Sequence, residues 1–398
     1  MMDIRRAIIL PVAAFALCMA AEGEYSADIS EAAVRAVVND AIEWQKENMP
    51  LEGRASYNPR YTGWADGVFL SAVAEWTELD DSRGFRDWLK AIGDSTGYEP
   101  APRSFNPAND IAVSMMYSNL YLENERPRYL IDTISDFQSQ LVELEGGWNE
   151  LIPTIERLDY QMRYCPDTGN LDFELPQNQE RWCWCDALYM AAPVYARIAN
   201  ITGDDTYREF MNREYHKTVD VLFSETDSLF FRDTRFFLER EANGEKVFWG
   251  RGNGWVVASL ARVIDLLPPD YYDRSFYVGL YKKLMTRLVE LQSPEGFWRT
   301  SLLDPQSFPT REMSATGFCA YALWWGVNEG LMPEEEYLDN AVRAWQAMVA
   351  SVRPGGALGY VQPIGDTPEN ISADKNEVYG TAAMALTGME IMKYLERQ

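Results

Sequence analysis

From Ser30 onward the sequence repeats one pattern. Apolar residues recur three and four positions apart, segment after segment, with no alternating strand-like stretch between them. "SEAAVRAVVNDAIEWQKEN" opens on a serine suited to cap a helix and carries apolar residues at 33, 34, 37, 38, 41, 42 and 44, the spacing of one helical face. The same periodicity predicts helices over 65–78, 83–95, 109–122, 128–141, 185–201, 205–222, 252–266, 271–292, 313–329, 334–351 and 377–396. No Pro/Ser-rich linker divides them, so one all-α domain is expected. Twelve helices can stack as a solenoid or close into a double ring of six hairpins, and the absence of a visible sequence repeat disfavours the solenoid.

Unusual segments introduce every second helix: "TGWADG" at 62, "NPAND" at 106, "RWCWCD" at 181, "WGRGNG" at 249, "PTREMSATG" at 309 and "DKNEVYG" at 374. In a ring of hairpins the even helices run parallel, so these six segments meet at one rim. That rim is the expected mouth of an active site.

Charge narrows the ligand. The 398-residue chain carries a net charge of −25, which excludes nucleic acid, whose affinity comes largely from Lys and Arg neutralising phosphates. It equally excludes adhesion to an anionic membrane. An acidic ligand would need a local basic pocket in this field. Thirteen Trp, 22 Tyr and 17 Phe supply flat faces of the kind carbohydrate clefts use.

The start, "MMDIRRAIILPVAAFALCMAAEGEYS", places Arg5 and Arg6 before an apolar run reaching Ala21. This is the form of a secretory leader over 1–21, with the domain over 22–398 and export to the periplasm or medium. The run is short for a membrane span, and Leu17 before Cys18 makes lipoprotein processing the weaker alternative. Cys165, Cys183, Cys185 and Cys319 remain after cleavage, with His216 the only histidine. Zinc-site spacing is missing, and small buried side chains are the plainer reading of the cysteines, although an exported protein could hold a disulfide. A lone His216 in mid-helix also leaves Ser-His-Asp catalysis without support.

Three features carry possible chemistry. Asp110 and Asp186 each stand just before an apolar helical run, where a helix N-cap and one member of a carboxyl pair across a cleft are both open readings. Arg251 sits among Gly250, Gly252 and Gly254, between Trp249 and Trp255. That spacing matches neither a dinucleotide loop nor a P-loop. A planar cation beside aromatic faces suits a sugar carboxylate, with the glycines expected to open room for the ring.

The strings "RWCWCDALYMAAPVYARI", "VFWGRGNGWVVASLARV", "GFWRTSLLDPQSFPTREMSATGFCAYALWWGVNEGL" and "EVYGTAAMAL" resemble family 105 of the glycoside hydrolases, the unsaturated rhamnogalacturonyl hydrolases. More distantly they are similar to the unsaturated glucuronyl hydrolases of family 88. The resemblance runs from about residue 62 to the C-terminus. It implies an (α/α)6 barrel that removes the 4,5-unsaturated uronic acid from the non-reducing end of polysaccharide-lyase products, without metal or organic cofactor. Carried over, the general acid/base falls on Asp186 and a second aspartate on Asp110. Substrate-binding residues fall on Trp184, Trp249, Arg251, Trp255 and Trp64. Cleft histidines of the family have no counterpart here; "LFFRD" places Arg232 where one is expected, available for a carboxylate or sulfate contact.

The implied reaction is hydration of a vinyl ether, in which Asp186 protonates C4 and then deprotonates the water adding at C5. Asp110, expected to stay ionised, and the tryptophan-walled pocket are together expected to raise the Asp186 pKa, against the helix N-terminus that lowers it. Two other classes stay open: a lyase on the same scaffold, and a binding protein for acidic oligosaccharides. The sugar next to the uronate, whether rhamnose of pectin or sulfated rhamnose of ulvan, and the oligomeric state are not readable from sequence.

Overall fold

The computed structural model describes residues 25–50, 58–104, 106–125, 150–165, 171–175, 178 and 180–398. Among them are twelve helices of at least twelve residues. These are α1 (Glu31–Glu47), α2 (Trp64–Trp76), α3 (Phe85–Thr96), α4 (Ser114–Glu125), α5 (Ile152–Tyr164), α6 (Ala187–Thr202), α7 (Asp205–Leu222), α8 (Gly250–Leu266), α9 (Arg274–Glu290), α10 (Met313–Asn328), α11 (Glu334–Val349) and α12 (Val378–Glu396). A two-stranded hairpin, β1 (Phe223–Ser224) with β2 (Leu229–Phe230), follows α7.

The even helices form a closed ring: α2 packs on α4, α4 on α6, α6 on α8, α8 on α10, α10 on α12, and α12 returns to α2. Odd helices lie outside, α1 against α12, α3 against α2, α7 against α6, α9 against α8 and α11 against α10. Composition explains the layers. All sixteen residues of α10 are buried, as an inner helix touched on every side requires. In contrast α11 buries Ala341, Ala344, Trp345, Ala347, Met348 and Val349, a single stripe, which leaves its charged side to water. The expected all-α, (α/α)6 architecture is what the ring shows.

One expected helix is divided and one helix was not expected. The segment over 109–122 divides into one turn, Pro107–Asp110, and then α4, because Ile111–Val113 turn before the helix restarts. Helix α5 was not anticipated. Its sequence "IPTIERLDYQMRY" is polar, buries only Thr154, Ile155, Leu158 and Gln161, and starts with proline in the first turn, where a missing N–H costs nothing. The helix expected over 128–141 lies outside the described residues, as does the leader reading over 1–21. No helix among the described residues is long and apolar enough to cross a membrane.

Candidate active site

The N-terminal segments of the even helices do meet at one rim. Trp64, opening α2, stacks on Tyr379 of α12 at 5.6 Å between ring centres, and presents its edge to Trp255 of α8 at 6.5 Å. On this rim the position of Asp186 decides between cap and catalyst. It occupies the N-cap position of α6, yet its backbone is already helical (φ −62°, ψ −27°) and its side chain caps no backbone N–H. An N-cap needs an extended backbone to fold its carboxylate over the first turn. The Asp186 carboxyl is therefore not spent on the helix.

Its neighbours are few. The Cys185 thiol donates to Oδ2 at 3.4 Å, and Arg232 Nε lies 3.6 Å from the same oxygen, too long for a hydrogen bond. Burial raises the Asp186 pKa, opposed by the charges of Arg232 and Arg251. Arg181, which precedes it in sequence, is engaged elsewhere: it pairs with Glu214 at 3.2 Å, both fully buried.

Arg232 is held from three sides. The Cys185 N–H donates to its carbonyl at 2.8 Å, its Nη1 donates to Asp233 at 2.6 Å, and its guanidinium lies over Phe173 at 4.8 Å. Its Nε is buried without a hydrogen-bond partner. Arg235 stacks on the same ring at 4.3 Å and bridges Asp233 to Asp366, each at 2.8 or 2.7 Å. Burial pushes the Asp233 carboxyl up, but its bonds to Arg235 and Arg232 outweigh that and leave it low. A fixed positive group thus flanks Asp186, at the place where the family resemblance implies histidine.

The Arg251 setting corrects the open-pocket reading. Arg251 is 1% exposed and lies against Trp249 at 4.4 Å and Tyr379 at 4.9 Å. Its Nη1 donates to the Gln362 carbonyl at 2.7 Å and its Nη2 to Pro363 at 2.9 Å and Gly365 at 3.4 Å. The guanidinium fork ties down the loop before α12, and its charge opposes the rise of the Asp186 pKa. The glycines do not open room for a sugar either. A Cβ on Gly250 would stand 2.1 Å from the Arg299 carbonyl, one on Gly252 3.2 Å from Cys185 Sγ, and one on Gly254 3.3 Å from Phe318. They let α8 start tight against the 299–301 segment, Cys185 and α10.

The tryptophans divide in the same way. Trp184, Trp249 and Trp255 are 2%, 1% and 0% exposed. Trp184 meets Phe173 edge-on, Trp249 donates through Nε1 to Gln362, and Trp255 packs on Phe318 and Tyr189. They form the wall, whereas Trp64 keeps part of its surface open.

The turn that carries Asp110, Pro107–Asp110, packs against α6, the helix that Asp186 opens. The Asp110 carboxylate accepts from the Ser104 backbone at 2.8 Å and the Ser104 hydroxyl at 2.7 Å, and Arg157 lies 3.9 Å away. It lines a cleft of about 210 Å³ with Arg103, Tyr160 and Glu180. Burial pushes its pKa up to about 6, against Ser104 and Arg157. Of the two influences expected to raise Asp186, burial does so, and Asp110 is not among the leading ones.

Sequence reasoning passed over Glu312, Gln362 and Tyr379. Glu312 is fully buried and accepts from Ser314 N, Ala315 N and Gln362 N, at 2.9, 2.6 and 3.0 Å. Tyr379 donates to the Gln362 carbonyl at 2.6 Å. Glu312 and Tyr379 lie inside segments already marked as unusual; Gln362, in a loop, had no such signal. His216 stacks on Phe276 and contacts Asp273 at 2.5 Å, where α7 faces α9. Cys183, Cys185 and Cys319 are buried and form no disulfide, and among the described residues no cluster of three His, Cys, Asp or Glu could hold a metal.

Comparison with known proteins places this geometry. The family model for Glycosyl Hydrolase Family 88 matches residues 34–395. A protein of Formosa agariphila named unsaturated 3S-rhamnoglycuronyl hydrolase is 32% identical over 375 residues, 92% of this chain and 93% of that one. One of the same name from Alteromonas sp. (strain LOR) is 31% identical over 379 residues, covering 91% and 86%. A solved structure described as a polysaccharide lyase superposes with a TM-score of 0.75 at 26% identity, covering 92% of this chain and 98% of that one. With the family model spanning nearly the whole barrel, the chain belongs to glycosyl hydrolase family 88 and is a glycoside hydrolase.

Proposed function

We propose that this hydrolase removes a 4,5-unsaturated uronic acid from the non-reducing end of lyase-generated oligosaccharides, with rhamnose as the sugar released. The observation that carries the reading is the Asp186 carboxyl: at the rim, not spent on capping, and raised by burial while two arginines oppose the rise. The names of the relatives support the substrate class.

In this reading protonated Asp186 gives its proton to C4 of the double bond, and positive charge develops at C5. The resulting carboxylate takes a proton from the water that adds at C5. The hemiketal so formed opens and expels the neighbouring sugar. One group acts as acid and then as base, which works best with a pKa near the operating pH. Arg251 and Arg232 then set how far burial can raise Asp186. Trp64 offers the partly open aromatic face.

The polysaccharide lyase with the same fold makes a lyase the second reading. The two differ in sign. Incubated with unsaturated disaccharides the hydrolase consumes the ultraviolet absorbance of the double bond, while a lyase given an intact uronate polymer creates it. No loss of absorbance on any unsaturated disaccharide would defeat the proposal.

Arg232 is proposed to meet the carboxylate or a sulfate of the substrate, together with Arg235 on Phe173. Arg232→Gln removes the largest charge opposing the rise of Asp186. The Asp186 pKa then rises further, and the high-pH limb of kcat/KM, where the acid loses its proton, moves to higher pH. The ranking among sulfated and unsulfated disaccharides changes as well. An unchanged ranking and an unmoved limb would place Arg232 outside the site.

We also propose that residues 1–21 direct export and that 22–398 is the mature domain, from the basic-then-apolar leader. Intact mass of exported protein checks it; a retained leader would count against it.

A further inference from the structure

We propose that Cys185 is a positioning residue for the hydration step: its thiol holds one oxygen of the Asp186 carboxyl against the protein, so that the proton delivered to C4 is carried on the other. This rests on the reading of Asp186 as the proton donor and adds the group that orients it.

The two carboxyl oxygens stand in different surroundings. Oδ2 accepts from the Cys185 thiol at 3.4 Å and lies 3.6 Å from the buried, unpartnered Nε of Arg232. Oδ1 accepts from no other described residue and is not among the buried atoms without a partner. The open part of the side chain, 13% of it, therefore includes Oδ1. A proton on Oδ2 would point into the thiol hydrogen and the guanidinium, both of which are donors. On Oδ1 it meets neither. The Oδ1 proton then leaves as the electron pair of the double bond forms the C4–H bond, and Oδ1 regains a proton from the water that adds at C5.

The thiol is itself fixed. Cys185 is fully buried, and its N–H is bonded to the Arg232 carbonyl at 2.8 Å. Gly252 of α8 leaves the space that Sγ fills, since a Cβ there would stand 3.2 Å from it. Burial pushes the thiol pKa well above its ordinary value, so the group stays protonated and able to donate. A thiol is a weak donor. It fixes the rotation of the carboxyl while favouring the charged form less than a hydroxyl or an amide would. The segments beside α6 bring other charged groups: Arg232 and Asp233 after β2, Arg251 on α8, Glu214 on α7 with Arg181, and Asp110 on its turn. Of these Arg232 and Arg251 weigh most on Asp186, and a change at 185 leaves both in place.

The test is kcat and kcat/KM of the full chain on unsaturated disaccharide across pH, for Cys185→Ala and Cys185→Ser. Alanine removes the donor and should lower kcat by about threefold to tenfold. KM should stay unchanged, because the thiol does not touch substrate. Alanine also removes a bond that favours the Asp186 carboxylate, so the acid holds its proton longer and the high-pH limb of kcat/KM moves up by about half a unit. Serine keeps a donor and should restore both kcat and the limb. A limb that stays in place in Cys185→Ala, or a fall in kcat that serine does not repair, overturns the proposal and leaves Cys185 a packing residue. Where alanine does not fold, Cys185→Val fills the space without donating and is read in the same way. The role of Asp186 fails separately. Near-normal turnover by Asp186→Asn sinks both readings, whereas lost turnover there with an unmoved limb in Cys185→Ala sinks only the role of the thiol.

Discussion

Asp186→Asn is expected to lower turnover of unsaturated disaccharide by about two to four orders of magnitude, the usual contribution of a positioned general acid, with almost no change in stability. The two expectations come from one observation. Because the Asp186 side chain caps no N–H of α6, the amide takes nothing from the helix. It also avoids the cost of burying a charge, which offsets the lost attraction of Arg232 at 3.6 Å. The net stability change should stay within about 1 kcal/mol, at the small end for single substitutions. Melting curves and decay of the ultraviolet absorbance, read on one preparation, separate the two quantities. Near-normal turnover by the variant would mean that another group supplies the proton.

Arg251→Lys should behave in the opposite way, with stability falling first. The guanidinium lies against both Trp249 and Tyr379 and donates to the carbonyls of Gln362, Pro363 and Gly365. An ammonium keeps the charge but cannot lie flat against the rings or span three carbonyls. Losing hydrogen bonds from a charged group in a buried place costs about 2–3 kcal/mol. For a chain of this length that is a fall of about 3–4 °C in Tm. Catalytic efficiency should fall with it, because the 362–365 backbone and the Tyr379 ring lose their anchor. An unchanged Tm with a raised KM would show instead that Arg251 faces an open pocket.

These residues show what the sequence could reveal. The ring was legible because inner helices are apolar all round and outer ones on one stripe, a periodic signal that neighbours do not erase. The rim was legible because functional segments opened alternate helices. Helix α5 was not, since two of the four residues it buries, Thr154 and Gln161, are polar and do not register as an apolar face. The glycines around Arg251 were misread for a definite reason. A missing side chain shows that something approaches closely but not what, and here it is the Arg299 carbonyl, Cys185 and Phe318. Arg251 itself binds main-chain carbonyls, which carry no residue-type signal. Asp186 lay between cap and acid until its backbone angles were known, because both roles use the same residue at the same place.

The return of α12 onto α2 also sets an order of events during synthesis. Trp64 belongs to the second helix to leave the ribosome, and the ring it stacks on, Tyr379, to the last. Joining them requires closing a loop of nearly the whole chain, an entropic cost met only after the intervening helices are in place. A nascent chain stopped before residue 378 has five inner helices and an open seam, with Trp64 and Trp255 bared along it. The rim that carries Asp186 is therefore among the last parts of the molecule to exist, and incomplete chains should be inactive and prone to aggregate.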